Sequence, residues 1–164
     1  MLLMMFITSC SKEDSEDYVV IASAISNSIL LDVQDSEGNS LVENKEYVKG
    51  IAFIQPDGYK YSGRIVDMDG KQFVESAFPL PLKSAMDFTD GGKSGYGEQQ
   101  LTILIDDSKY ELQGLFHFSN DSSDRELYGG SVIRLIEIKS NDSAVSDSEE
   151  YGSYIKIVIT VANI

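Results

Sequence analysis

The amino-acid sequence predicts an all-β protein, an antiparallel two-sheet sandwich of about eight strands. Short stretches alternate between apolar and polar residues, which is typical of half-buried strands. Turn-forming residues separate these stretches, and no stretch carries a sustained helical period. We expect a sandwich of the immunoglobulin-like or transthyretin-like kind.

The first half of the chain contains several stretches with strand character. Tyr18–Ala24 is apolar and β-branched but alternates poorly, so we expect an extended lead-in or an edge strand. Ser28–Gln34 alternates clearly and is predicted to be a strand whose Ile29, Leu31 and Val33 face inward. The next predicted strands are Ile51–Ile54, Tyr59–Val66 and Gln72–Phe78, joined by turns at Gln55–Gly58 and Asp67–Lys71.

The second half begins with Lys83–Glu98, which has several glycines and no period, so we expect a long loop. Alternation on both sides of a short polar turn then predicts a hairpin of Leu101–Ile105 with Tyr110–Phe118. The remaining predictions are a strand over Ser131–Ile138, an exposed loop over Ser140–Gly152, and a last strand over Tyr154–Val161.

The N-terminal segment has the features of an exported lipoprotein. Met1–Ser9 is apolar and uncharged, and it is far shorter than the about 20 residues that span a bilayer. Ile7-Thr8-Ser9 leads into Cys10, the one cysteine of the sequence, and small residues before a cleavage point are typical of signal peptides. We predict a lipoprotein signal peptide over residues 1–9 and lipid attachment at Cys10.

Ile7–Cys10 resembles the lipobox of bacterial lipoproteins. Residues 10–17 form an acidic tether, in which Lys12-Glu13-Asp14 resembles the export signal of surface lipoproteins in Bacteroidales-type bacteria. The stretch from Ile29 to Leu41 resembles the opening strand and turn of small β-sandwich lipoproteins from the same group. These resemblances imply an outer-membrane protein facing the cell exterior, with the periplasmic face as the alternative. Because no basic residue precedes Lys12, the start of translation could lie upstream.

Composition limits the partners. The chain has 13 basic and 27 acidic residues, which gives a formal net charge of −14 at pH 7. Such a chain repels phosphate backbones and anionic lipids, so we expect no nucleic-acid binding and membrane contact through the lipid anchor alone. Residues 18–164 are enough for one domain with its own core. A single cysteine allows no intramolecular disulfide.

The sequence carries no assembled set of catalytic or metal-binding residues. His117 is the one histidine, and we predict a structural or surface role for it because a triad also needs a matched nucleophile and an orienting acid. The usual zinc sites need more His and Cys ligands than this chain has. Asp67–Gly70 fits an EF-hand loop poorly, since Ile65 and Ser76 stand at its first and last ligand positions. We predict no enzyme, no cofactor and no metal site, with weak calcium binding at acidic loops left open.

Three classes of function fit the sequence. The leading one is a lipid-anchored, surface-exposed, non-enzymatic binding or adhesion module for a glycan or a protein. Tyr96, Tyr128 and Tyr151 are its candidate ligand-binding residues, because tyrosines in or near loops can stack on a sugar or a partner. The alternative is a structural or accessory subunit of a fimbria-like assembly, with Tyr154–Val161 as an edge strand. A carboxylate-pair hydrolase is least favoured, since nothing marks one pair among 27 acidic residues.

The lipobox prediction has a direct test. Cells grown with an alkyne fatty acid should yield a labelled protein, and Cys10→Ser should abolish the label because the acceptor thiol is gone. In-gel fluorescence of the immunoprecipitated protein measures both forms. An unlabelled wild-type protein would contradict lipid attachment.

Overall fold

The computed structural model describes residues 17–120 and 130–162. The predicted signal peptide, Cys10, nearly all of the tether and Tyr128 lie outside the described residues. One short helix, α1 (Lys45–Val48), and two 3-10 turns, Lys83–Ala85 and Asp90–Gly92, are present in the described part. Its strands are β1 (Ala24–Ser26), β2 (Ser28–Gln34), β3 (Ile51–Ile54), β4 (Lys60–Tyr61), β5 (Arg64–Met68), β6 (Lys71–Ala77), β7 (Met86–Thr89), β8 (Ser94–Ile105), β9 (Ser108–Ser119), β10 (Val132–Lys139), β11 (Glu149–Tyr151) and β12 (Tyr154–Thr160).

The strands form two sheets around one apolar core, which confirms the prediction of an all-β, two-sheet protein. The seven-stranded sheet has the order β1-β10-β9-β8-β3-β4, and β7 also pairs with β8. The five-stranded sheet has the order β11-β12-β2-β6-β5. Ile29, Leu31 and Val33 of β2 face the core and are fully buried, as predicted. No helix in residues 17–120 and 130–162 is long and apolar enough to cross a membrane.

The strand count and the strand directions differ from the prediction. The described residues contain twelve strands rather than about eight, because four strands of two to four residues are too short to show alternation. Two strand pairs, β1 with β10 and β2 with β12, are parallel, so the sheets are mixed rather than antiparallel. The prediction of Tyr154–Val161 as an exposed edge is wrong, since β12 lies between β11 and β2.

A glycine divides one predicted strand. The sequence predicts a single strand over Tyr59–Val66, yet the chain passes from the seven-stranded to the five-stranded sheet at Gly63. A Cβ atom at Gly63 would lie 2.7 Å from the carbonyl oxygen of Glu75 and 2.5 Å from Val74 Cγ1. Only glycine therefore allows β5 to approach β6 at this crossing.

Two other glycines explain why a region that forms strands is predicted as a loop. The predicted loop Lys83–Glu98 contains β7 and the first part of β8. Gly95 and Gly97 take inward positions of β8, where Cβ atoms would lie 2.9 Å from Phe88 Cδ1 and 2.2 Å from Met86 Sδ. The side chains of β7 fill the space that β8 leaves empty, so the apolar alternation of β8 is absent from its sequence.

The crossover between the two sheets is held at Asn27, the single residue between β1 and β2. Its side-chain Nδ2 donates a hydrogen bond of 2.6 Å to the carbonyl oxygen of Phe78, and its own carbonyl accepts one of 2.8 Å from the Phe78 amide. The Phe78 ring is fully buried and packs edge-on against Phe116, with ring centroids 6.0 Å apart. Gly114 gives it room, since a Cβ there would lie 2.7 Å from Phe78 Cε1.

Gly114→Ala should destabilise the protein by about 1–3 kcal/mol, because the added methyl group overpacks the core against Phe78. Urea unfolding followed by circular dichroism measures the loss. Phe78→Leu creates space at the same place, so the double variant should lose less than the sum of the two single changes. Lys109→Ala, at an exposed position of the same strand, is the control and should change the stability by less than about 0.5 kcal/mol; an equal loss at Lys109 and Gly114 would contradict the packing.

Tyr47 of α1 places its hydroxyl in the interior, where it has no hydrogen-bond partner among the described residues. Burial, followed by the negative charge of Asp106, raises the pKa of Tyr47 to about 12. An unfolded chain ionises this tyrosine near pH 10, so the native state holds the proton to higher pH than the unfolded state. The stability that this difference contributes is complete below pH 10 and is lost as pH rises toward 12.

Tyr47→Phe should match or exceed the wild type in stability at pH 7, because it removes a buried hydroxyl without a partner. Between pH 10 and 12 the variant should lose less stability than the wild type. Denaturant unfolding at a series of pH values gives both comparisons. Parallel curves for Tyr47→Phe and wild type would refute the assignment.

Candidate functional site

The solvent-facing side of the seven-stranded sheet, here termed the open face, is the candidate site. Side chains of β8 and β9 alternate, so that Leu101 and Leu112 point into the core while their neighbours along each strand point outward. Cross-strand pairing places four outward residues in one row: Asp87 on β7, Tyr96 on β8, His117 on β9 and Arg134 on β10.

Tyr96 and His117 form a ring pair in the middle of this row. Their ring centroids are 4.7 Å apart with the planes inclined by 31°. Nε2 of His117 also lies 3.2 Å from the hydroxyl oxygen of Ser94. The outer side of the Tyr96 ring stays accessible, with 51% of the residue exposed. The histidine therefore supports an aromatic surface that can stack against a ligand.

A depression of about 610 Å³ adjoins the ring of Tyr96. Carboxylate and amide groups line it together with the aromatic ring, and the amide Nε2 of Gln113 donates a hydrogen bond of 2.6 Å to Glu98 Oε2. Gln99 is fixed by a bond of 3.0 Å from its Nε2 to the carbonyl oxygen of Leu80. The lining residues are Ala85, Asp87, Tyr96, Gly97, Glu98, Gln99, Gln100, Gln113 and Leu115.

Ser94 and His117 are within hydrogen-bonding range, as a nucleophilic serine and its general base are. The residues directly beside His117 on the neighbouring strands are Tyr96 and Arg134. Neither is a carboxylate that could orient the imidazole as the acid of a triad does. The arrangement of these described residues is suited to holding a ring in place.

Tyr151, the other predicted tyrosine within the described residues, lies on the opposite side of the molecule, on the outer face of the five-stranded sheet. Its ring packs on Phe73 at a centroid distance of 5.7 Å, and its hydroxyl donates a bond of 2.9 Å to Asp69 Oδ2. That hydrogen bond to Asp69, followed by burial, raises the pKa of Tyr151. Lys156 Nζ stands 5.5 Å from the ring centroid. The structure therefore does not bring Tyr96 and Tyr151 together into one surface.

The outer face of the five-stranded sheet is covered by its own side chains. Leu30 points to this face and is nevertheless fully buried, and Phe73 beside it is 2% exposed. Long side chains cover them through ion pairs: Lys156 with Glu149 at 3.1 Å, and Arg64 with Glu75. The apolar residues of this face are therefore not available to a ligand.

The hairpin-turn interpretation of Asp67–Gly70 is supported by the backbone. Asp69 and Gly70 have φ values of 54° and 76° in the turn between β5 and β6, which is the conformation of an Asp-Gly hairpin turn. Among residues 17–120 and 130–162, no three His, Cys, Asp or Glu side chains form a group that could hold a metal ion.

Sequence reasoning found Tyr96 and missed the partners that position it. Ser94 lies in the stretch predicted as a loop, and His117 shows no motif that ties it to a residue of another strand. The one available clue is the hairpin turn at Asp106–Ser108. Extending its pairing along both strands, as the structure shows, places Tyr96 opposite His117.

Comparison with protein-family models, with curated proteins and with solved structures gives no match to this chain. The geometry of the open face is therefore the basis for assigning a function. That face combines a supported, half-exposed aromatic ring with a depression lined by amide and carboxylate groups.

Proposed function

We propose that this protein is a lipid-anchored, non-enzymatic binding or adhesion module on the bacterial surface, and that its ligand contacts the open face. The observation that carries the proposal is the ring of Tyr96, half exposed and held against His117 beside a polar depression. A rigid aromatic ring gives a large contact area at a low cost in conformational entropy.

The lipid anchor in this proposal rests on the sequence pattern that ends at Cys10. Attachment there would hold the domain at the outer membrane through the short acidic tether, facing the cell exterior in the leading version. When many anchored copies on one surface bind at the same time, their combined avidity is well above the affinity of a single site. A shallow, open site such as this one is compatible with that mode of binding.

The non-enzymatic part of the proposal is supported by the surroundings of His117. The ring faces Tyr96 and its Nε2 faces Ser94, with no carboxylate in the directly paired positions. We further propose that the sandwich is of the immunoglobulin-like or transthyretin-like kind, which is supported by two sheets facing each other across one core.

The fimbria-like alternative needs a free edge strand, and the strand predicted for this role, β12, is internal. β1 pairs only with Val132–Arg134 of β10, and the rest of that edge of β10 is also a poor template for pairing with another chain. It has an irregularity in register between Leu135 and Glu137, and the amide of Ile138 donates to Ser148 Oγ at 2.9 Å. Bulges and capped amides are devices that prevent edge-to-edge pairing of strands.

Beads coated with the full chain test the proposal. They should adhere to surfaces coated with host glycans or with extracellular proteins, and Tyr96→Ala should reduce retention under flow by roughly tenfold because it removes the stacking surface. Beads with Tyr59→Ala, a change at another exposed tyrosine that lies outside the depression, should be retained like wild type. Equal retention of the wild type and Tyr96→Ala on every coat would remove the open face as the binding surface.

A further inference from the structure

Three depressions on the open face adjoin one another along β8 and β9 and share lining residues. The depression beside Tyr96 shares Gln100 and Gln113 with a smaller one of about 140 Å³. This smaller one shares Glu111, Ser140 and Asn141 with a third of about 500 Å³. We term the whole the β8–β9 groove.

The groove is long in relation to the domain. Tyr96 and Thr102 of β8 both line it and are six residues apart, which corresponds to about 20 Å at the usual rise of a strand. The third depression extends it further, to Lys109 at the start of β9. A ligand that fills the groove is therefore an extended chain rather than a single compact molecule.

The groove is lined by groups that bind hydroxyls. Amide side chains can donate and accept hydrogen bonds at once, as a sugar hydroxyl does, and hydroxyl and carboxylate groups lie between them. Several are already held in place: Gln113 bonds to Glu98, and Ser140 Oγ donates a bond of 2.8 Å to the carbonyl oxygen of Glu111. The outward amide and hydroxyl residues of the lining are Gln100, Thr102, Gln113, Ser140, Asn141 and Ser143.

The charged side chains of the groove are mainly acidic. Its lining holds four acidic residues, Asp87, Glu98, Glu111 and Asp142, and two basic residues, Lys109 and Lys139. This excess of negative charge, on a chain whose formal net charge is −14, repels an anionic ligand. An uncharged chain of hydroxyl groups meets no such repulsion, and its hydroxyls can donate hydrogen bonds to the carboxylates.

An extended peptide fits this location poorly. Extended peptides gain much of their affinity from backbone hydrogen bonds at a free sheet edge. The groove instead runs over the face of paired strands, where the amides and carbonyls of β8 and β9 bond to each other along the whole hairpin. Recognition here depends on side chains, which suits a chain of hydroxyl groups.

We propose that the β8–β9 groove binds a linear, uncharged oligosaccharide, with one sugar ring stacked on Tyr96 and the chain extending toward Asn141. This inference rests on the proposed function and adds the ligand class. Tyr96 is the aromatic ring of the groove lining, so a single site gives modest affinity, and the hydrogen-bonding groups beyond it discriminate by chain length.

Calorimetric titration of the full chain in detergent tests the inference, with glucan, xylan and mannan oligomers of increasing length as probes. For at least one of these neutral series, affinity should rise with length and level off at about four units, the number that spans the about 20 Å between Tyr96 and Thr102. Tyr96→Ala should weaken every chain length by roughly tenfold. Asn141→Ala should weaken long chains and leave the shortest unchanged, because only long chains reach it.

Tyr59→Ala is the matched control and should bind like wild type, and thermal melts confirm that each variant is folded. Failure of all three neutral series to bind, a plateau at the first unit, or unchanged affinity in Tyr96→Ala would each overturn the inference. Preference for uronic-acid oligomers over the neutral series would overturn the uncharged class. If beads still adhere to a protein coat through Tyr96 while no oligosaccharide binds, the binding module stands and its glycan ligand does not.

Discussion

The fold depends on how one residue ties the two sheets together. The chain leaves the seven-stranded sheet at Ser26 and enters the five-stranded sheet at Ser28, so Asn27 alone covers the crossing. Its two hydrogen bonds to the backbone of Phe78 fix the ends of β2 and β6 to that crossing. The Phe78 ring then reaches across the core to Gly114 and Phe116, so that it joins the end of β6 to β9 of the other sheet.

The alternating strands could be predicted from the sequence because they carry their own core residues. Ile29, Leu31 and Val33 are buried as predicted, and the hairpin of β8 with β9 has the predicted turn. The sequence does not predict the places where the side chains of a neighbouring strand fill the core instead of the strand's own. At Gly95 and Gly97 of β8, the space on the inward side is filled by side chains of β7. No local pattern in the sequence of β8 indicates this.

The candidate site shows the same limit. Tyr96 stands out in the sequence as a tyrosine among glycines, but the ring that supports it belongs to a residue 21 positions later, on the paired strand. Tyr151 is an equally good candidate in the sequence, yet its ring packs on Phe73 and its hydroxyl bonds to Asp69. The exposure of an aromatic ring depends on the residues that the neighbouring strands place beside it. Predicting that exposure therefore requires the pairing register of the strands.

The parallel pairing of β2 with β12 joins nearly the first strand of the domain to the last. Ile29 meets Ile155, so the interior of the five-stranded sheet stays unfinished until the C-terminal segment has been synthesised. Contacts this distant in sequence make folding slow. For the export proposed above, that delay is favourable, because the chain must still be unfolded when it passes through a translocation pore.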